Sequence, residues 1–396
     1  MTLQVQSQSP ESSIKNLHSE LTGSQGIPLK IFVCEPMAHY QYSHANADTQ
    51  NLARGLSLHG EVTLVSYAPF SDPLRNMGGV TYQVAAPREA RRGHAPSRPI
   101  LFLDALRTAL FAARFARREK PDLMIWPNGD AFSVLLASFL SGGIPCKLVM
   151  HNSVVGPGAK TGWRFRLYWL WERYFLRKLA LRGGLLTPSA QIREEFQKNH
   201  GITLDESHVI PIGFNDRDIP NARPFQSRVL VLGVITSRKN YPCAIEGFLA
   251  QKGLQELLIA GVLQDERIAG LIREKDAEGR IRLIDRYIQE EELEGLFESA
   301  DVVLLPHGLG STLASGTLSR ALEFGVPIIG PKEGYIADWV TRYEIGSLFR
   351  PDDATSLATV LQEVGSNYPA LYERFKSGYE HLSEERSWKT IAEKYL

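Results

Sequence analysis

The sequence predicts an α/β protein made of two doubly wound, parallel-sheet domains that face each other across a cleft. Three observations carry that expectation. Short apolar runs alternate with longer amphipathic stretches along the whole chain, the pattern of repeated β-α-β units. The alternation breaks once, at NDRDIPNARPFQ (residues 215–226), a polar segment with two prolines that reads as a hinge. The length, 396 residues, is too great for one ordinary core and suits two.

In the first half, strands are expected at Leu29–Cys34, Glu61–Tyr67, Val80–Ala85, Asp122–Trp126, Cys146–His151 and Gly184–Pro188, with a further one at His208–Ile212. Helical periodicity covers His44–Leu58, Leu101–Glu119 and Ile192–His200 between them. Beyond the hinge, strands are expected at Val229–Gly233, Glu256–Gly261, Arg280–Asp285, Val302–Pro306 and Val326–Pro331, and the chain ends in helix. The resulting partition is a flexible Ser-, Gln- and Gly-rich extension (1–26), an N-terminal domain (27–213), a hinge (214–226), a C-terminal domain (227–366) and a terminal helix (367–396).

Composition narrows the function classes. Hydrophobic residues make up 43% and charged residues 22%, a globular balance that excludes a disordered or fibrous chain. Basic and acidic residues number 44 each, so the whole molecule is no polyanion binder and nucleic acid is not an expected partner. The halves differ, with 23 Lys and Arg against 16 Asp and Glu in residues 1–214, and 21 against 28 in the rest. A basic first half suits an anionic acceptor or a phospholipid surface, although a solvated surface has the same composition. The three cysteines, Cys34, Cys146 and Cys243, are scattered and odd in number. They give no disulfide framework and no metal-ligand spacing, and point to a reducing compartment. No charged-then-apolar leader pattern is visible, and apolar runs such as Ala131–Leu140 fall well short of the roughly 20 residues of a membrane span. The expectation is a cytoplasmic protein, soluble or peripheral on the inner membrane face.

Two segments after the hinge are suited to a nucleoside diphosphate. In VLVLGVITSRKNYPCAIEGF a buried strand ends at Gly233, a polar loop carries Arg238 and Lys239, and a helix begins near Pro242. Cations and a helix N-terminus beyond a strand end match what a diphosphate requires. In DVVLLPHGLGSTLASGTLSRALEFGVPIIGP a strand runs into a loop with Gly308 and Gly310, and Ser315, Gly316 and Thr317 open a helix. Small residues there let backbone N–H groups approach an anion, which the helix dipole also favours. Either loop alone would read as an ordinary turn; the pair makes the stronger case.

The order of VLGVITSRKNYPCAIEGF, ELLIAG, RIRLIDRYIQEEELEGLFESADVVLLP, ALEFGVPIIGP and IGSLFRPDDATSLATVL resembles the C-terminal domain of the group-1 family of GT-B glycosyltransferases, whose two halves are Rossmann-like domains. The ending SEERSWKTIAEKYL is similar to that family's last helix, with Trp388 at its usual Trp position. In the first half VMHNS, LLTPSAQIREEF and HVIPIGFND match more thinly. The resemblance implies that Lys239 is the phosphate-binding lysine and that His151 faces the donor sugar; Arg238, next to Lys239, is expected to stand in for the arginine that the family has at the position of Val234. It further implies a donor site around Gly233, Gly310, Ser311, Thr312, Ser315, Gly316, Thr317 and Arg320, and a C-terminal helix that crosses back to the N-terminal domain. No cofactor or metal is expected.

Two positions depart from the family pattern. Val234 stands where an Arg is usual, and the paired glutamates fall on Thr312 and Arg320. SGTLSRAL instead fits a Ser-Gly-x-Leu-x-x-Ala-Leu subset.

Weaker signals have competing explanations. The loop EPMAHYQYSHAN places His39, Tyr40, Tyr42 and His44 after the first strand, either shaping an acceptor site or serving as a plain loop. The stretch Thr161–Arg182 is a helix with two opposite apolar faces, Phe165, Trp169, Leu176 and Leu179 against Leu167, Leu170, Tyr174 and Leu181. Two such faces predict burial rather than a membrane-surface role. Arg91, Arg92 and Arg98 form the better candidate for headgroups, and a solvated loop is the simpler account. Asp216 and Asp218 form an Asp-x-Asp in the hinge, away from any strand end, and are not expected to bind metal. For the acceptor's base the candidates are Asp48, Asp130 and His151.

The function expected is transfer of a hexose-type sugar from a nucleoside diphosphate to a glycan or lipid-linked acceptor in surface polysaccharide or glycolipid assembly. The rival readings are a non-catalytic GT-B-like interaction partner and a sugar-nucleotide epimerase.

Overall fold

The computed structural model describes residues 28–40, 44–69, 79–85, 98–151, 162–221, 223–237, 239–308 and 315–396. Side chains within helices at 44–47, 98 and 164–165 are outside that description. The N-terminal sheet contains β1 (Leu29–Cys34), β2 (Gly60–Ser66), β3 (Val80–Val84), β4 (Leu123–Trp126), β5 (Cys146–Val149) and β6 (Leu185–Leu186). Its order is β3-β2-β1-β4-β5-β6 and every pair is parallel. Helices α1 (His44–Leu56), α2 (Arg98–Glu119), α3 (Ala131–Leu140), α4 (Trp163–Ala180) and α5 (Ala190–His200) connect and flank it.

The C-terminal sheet repeats the plan with β7 (Arg228–Leu232), β8 (Glu256–Gly261), β9 (Ile281–Asp285), β10 (Val302–Leu304), β11 (Ile328–Pro331) and β12 (Gly346–Phe349). Its order is β12-β11-β10-β7-β8-β9, again all parallel. Around it lie α6 (Tyr241–Leu249), α7 (Glu266–Lys275), α8 (Glu290–Glu298), α9 (Gly316–Glu323), α10 (Gly334–Tyr343), α11 (Ala354–Arg386) and α12 (Trp388–Glu393). Continuous apolar strands such as LKIFVC and RVLVL follow from helices covering both faces, which leave no side for alternating polar residues. Local signals set the helix ends. Asp130 caps α3 through Ser133 N, Ser189 caps α5 through Ile192 N, and Gly201 ends α5 in the left-handed region at φ +59°.

Three differences from the sequence expectation have physical reasons. The strand expected at His208–Ile212 is only a bridge, Thr187 to Val209, because Pro211 has no N–H to extend the ladder. Strand β12 was not anticipated: it is a four-residue edge with little periodicity to detect. Helix α4 buries only one of its two apolar faces. Leu176 and Leu179 lie in the core, whereas Leu167, Leu170, Tyr174 and Leu181 are 57%, 53%, 55% and 85% exposed. Among the described residues no further layer covers that side of the domain.

The two domains are joined twice. Helix α11 kinks at Asn367 (φ −144°, ψ 45°), two residues before Pro369, yet Tyr368, Leu371, Phe375, Tyr379 and Leu382 all stay in the C-terminal core. The return to the N-terminal domain therefore starts at Ser387, later than the expected boundary at 367. There Phe214 N donates to Arg386 O (3.2 Å) and Trp388 N to Phe214 O (3.0 Å). The Trp388 indole enters the N-terminal core with Ile31, Leu52 and Ile210, and a Cβ on Gly213 would stand 2.7 Å from it. Only glycine admits the ring at this crossing. Trp388→Ala should cost about 3–5 kcal/mol of stability. It should also expose residues 215–226 to proteolysis, so denaturant melts and limited digestion are the checks; unchanged digestion would show that Trp388 does not couple the domains.

Candidate functional site

Strand order reverses between β1 and β4 in one sheet and between β7 and β10 in the other. Crossovers leave such a point on opposite faces, so a crevice opens beyond the C-terminal strand ends, where ligands of open parallel sheets sit. Polar residues are gathered at both crevices.

Beyond β7 and β10, Lys239 and His307 form an antiparallel bridge, and Asn240 N donates to Pro306 O at 2.7 Å. Lys239 Nζ donates to the strand-end carbonyl of Leu232 at 3.1 Å, and Thr317 Oγ1 donates to the same oxygen at 3.3 Å. Gly233 (φ +109°) makes this convergence feasible, since a Cβ there would stand 3.1 Å from Lys239 Nζ. Burial lowers the Lys239 ammonium to about 8, and among the described residues no carboxylate pairs with it. Burial, and then the positive Lys239, holds the His307 imidazole down to about 4, so the ring is neutral at physiological pH. Ser315 caps α9, its Oγ accepting from Leu318 N at 3.3 Å. The amides of the first turn, including Gly316 and Thr317, have no intrahelical partners and carry the positive end of the helix dipole. On the α6 and α7 side of Lys239 lies a cleft of about 540 Å³ lined by Lys239, Asn240, Arg267, Gly308 and Asp352, a volume that suits a nucleotide-sized ligand.

Lys239, Gly233 and Thr317 are thus brought together, with Ser315 and Gly316 at the adjoining helix start. Arg238, Gly310, Ser311 and Thr312 lie outside the described residues. Val234 is 43% exposed at the loop surface. Arg320 requires a correction, because its guanidinium is not a bare cation awaiting a diphosphate. Its Nη1 donates to Glu323 (2.6 Å) and its Nη2 to Glu290 of α8 (2.7 Å). Where an arginine replaces the usual glutamate, two carboxylates have come to it from other positions. Arg320 also lines an interdomain pocket with Asp48, Asn51 and Gly316. Burial raises the Asp48 carboxyl to about 7, against the opposing pull of Arg320.

Beyond β1 and β4 the central residue is Glu35, fully buried. It accepts from Thr49 Oγ1 (2.7 Å), Asn128 Nδ2 (2.8 Å) and Met37 N (2.7 Å), and so ties together β1, α1 and the loop after β4. Burial raises its carboxyl despite these hydrogen bonds. His151 follows β5, with Nε2 3.0 Å from Pro127 O. A carbonyl only accepts, so Nε2 carries the proton, and burial favours the neutral ring with its lone pair on Nδ1. His39 and Tyr40 are buried and turned to α2. Tyr40 Oη donates to Asp104 at 2.5 Å, and His39 Nε2 lies 3.4 Å from the same carboxylate. They anchor the loop, and direct contact of their polar tips with an acceptor is not what this arrangement offers. The side chain of His44, together with Tyr42, Arg91, Arg92 and the Arg98 side chain, is outside the described residues. Asp130 serves as the α3 cap, and Asp216 accepts from Ser383 Oγ at 2.8 Å and borders a cleft with Arg54 and Arg217.

Sequence reasoning passed over Glu35 and His307. Both follow directly on buried strands, LKIFVC and VVLLP, and a polar residue at a strand end was the available signal. Glu35→Ala would strand buried donors and should cost about 1–3 kcal/mol, read as a lower Tm; an unaltered Tm would remove Glu35 as the organiser of this crevice.

A model described as Glycosyl transferase 4-like domain matches residues 45–213, and one described as Glycosyl transferases group 1 matches 214–380. No curated protein matches the chain. Among solved structures, a glycosyltransferase from Rickettsia africae ESF-5 is 14% identical, with a TM-score of 0.64 over 94% of this chain and 97% of that one. Anabaena HepE, in complex with UDP and glucose, is 15% identical, with a TM-score of 0.60 and coverage of 93% and 98%. Sucrose-phosphate synthase from Thermosynechococcus elongatus is 18% identical, with a TM-score of 0.61 and coverage of 93% and 97%. At such identities these likenesses speak for the fold, while the two models, meeting at residues 213 and 214, speak for the family. The chain belongs to the group-1 glycosyltransferases of GT-B fold.

Proposed function

We propose that the protein is a metal-independent hexosyltransferase that takes its sugar from a nucleoside diphosphate and passes it to a glycan or lipid-linked acceptor. The observation that carries this reading is the buried Lys239, which shares the Leu232 carbonyl with Thr317 of the first turn of α9 at the β7/β10 crevice. In the reaction the anomeric C–O bond breaks, its electron pair goes to the leaving diphosphate, and the acceptor oxygen bonds to the anomeric carbon and loses its proton. Negative charge grows where Lys239 and the amides of Gly316 and Thr317 converge. Donors already fixed in place there stabilise the transition state without reorganising. His307 adds a neutral ring beside the lysine, and His151 offers its Nδ1 lone pair from the opposite domain. HepE in complex with UDP and glucose supports a uridine donor. The basic N-terminal half supports an anionic acceptor, and three free buried thiols fit the reducing cytoplasmic side of a membrane.

A thermal-shift screen of UDP, GDP, ADP, CMP and dTDP sugars tests the donor site. The correct donor at 100 times its Kd should stabilise by about 2.7 kcal/mol. Lys239→Ala should abolish that shift and lower turnover on the order of 10²–10³-fold. No shift with any nucleotide, in folded protein, would favour a non-catalytic member of the family, for which Arg320 in the glutamate position is the motive.

Lys239 also sets a pH dependence. The ammonium is charged below about 8 and neutral above it, so donor affinity should hold up to that pH and weaken as pH rises through it. Isothermal titration between pH 6.5 and 9.5 reads this directly, and Lys239→Arg should flatten the profile because arginine stays protonated. A flat wild-type profile would assign diphosphate binding to other groups.

A further inference from the structure

We propose that the outer face of α4 docks on an anionic phospholipid surface. Trp163, Leu167, Leu170, Tyr174 and Leu181 are spaced so that all five fall on one narrow stripe of the helix. They are between 53% and 85% exposed, while Leu176 and Leu179 on the other side anchor the helix in the core. The helix is therefore amphipathic with respect to the domain, held by one apolar face and presenting another. Monomeric proteins rarely leave a contiguous apolar patch of this kind without a partner. Ring contacts tie neighbouring helices into the same layer: Phe132 of α3 packs on Trp171 at 5.2 Å, and Phe102 of α2 packs on Trp171 at 5.7 Å. That layer adds Leu103 and Leu110 from α2, 46% and 48% exposed, and Phe139 from α3, 78% exposed.

Charge selects the occupant. Arg166 and Arg177 border the stripe on one side, Lys178 and Arg182 on the other, and all four are exposed. In α2, α3 and α4 the only carboxylates are Asp104, Glu119 and Glu172. Asp104 and Glu172 are buried, and Glu119 pairs with Arg118 at 2.8 Å. A second copy of this chain meeting the stripe about a two-fold axis would bring cations against cations with no exposed acid to relieve them. Anionic headgroups would meet the arginines while the leucines reach the acyl boundary and the Trp and Tyr rings sit between, the arrangement of an interfacial helix. Because α4 is the connection that follows β5, docking here would hold the His151 end of the N-terminal sheet near the lipid surface. The inference does not depend on which sugar or acceptor the enzyme uses.

Co-sedimentation of the full chain with vesicles tests it. Phosphatidylcholine vesicles containing about 30% phosphatidylglycerol should retain the protein, pure phosphatidylcholine should not, and added salt should release it. Each neutralised cation should lower partitioning about fivefold, so the triple variant Arg177→Gln, Lys178→Gln, Arg182→Gln should lose about a hundredfold. Leu170→Asp with Leu167→Asp should lose at least tenfold while keeping the wild-type Tm, since both side chains are already in water. Three results would overturn the proposal: no retention of wild type on anionic vesicles, variants that bind as wild type does, or a dimer in light scattering that Leu170→Asp splits, which would give the stripe to a second copy.

Discussion

An all-parallel sheet covered on both faces has one place where polar chemistry can sit, the C-terminal edge at the point where the crossovers diverge. This protein meets that constraint twice, with the same strand order in both halves. At β1/β4 the polar group is Glu35, satisfied by three donors from three segments. At β7/β10 it is Lys239, whose ammonium donates to the backbone carbonyl of Leu232 among the described residues. The two crevices therefore differ in kind: the first centres on a carboxyl held by three donors, and the second on a buried ammonium beside a helix start.

One position that departs from the usual family pattern, Arg320, is balanced by carboxylates brought to it in space. Arg320 occupies a glutamate's place, and Glu290 and Glu323, from elsewhere in the chain, neutralise it. The interdomain pocket has the Glu323 carboxylate on its C-terminal wall and adds Asp48 from α1, whose raised pKa reflects burial. A guanidinium held by two carboxylates is a poorer partner for an anion than the buried Lys239 ammonium. The second chain crossing, at Phe214, Ser387 and Trp388, fixes one domain to the other through backbone hydrogen bonds and a buried indole.

Helix α4 shows how one element serves two environments. Its inner face closes the core over β5 and β6, and its outer face meets no other described element. An aromatic and basic sequence satisfies both conditions, because arginine and lysine stems lie along apolar surface while their heads remain solvated. The same helix thereby links core packing to the character of the protein's surface.

Fold class was legible in the sequence, and so were the segments that bring Lys239, Gly233 and Thr317 side by side. Continuous apolar strands, glycine at a strand end and small residues at a helix start are local signals, fixed within a few positions of chain. What only the tertiary structure decided was non-local. Glu35 and His307 come to the two crevices because distant strands meet beside them, and Arg320 is paired because Glu290, 30 residues away, reaches it. His39 and Tyr40 turned inward because Asp104 lies on the packed helix. The two apolar faces of α4 look equivalent in a helical projection; which one is covered depends on how many layers lie outside the helix, and periodicity carries no information about that.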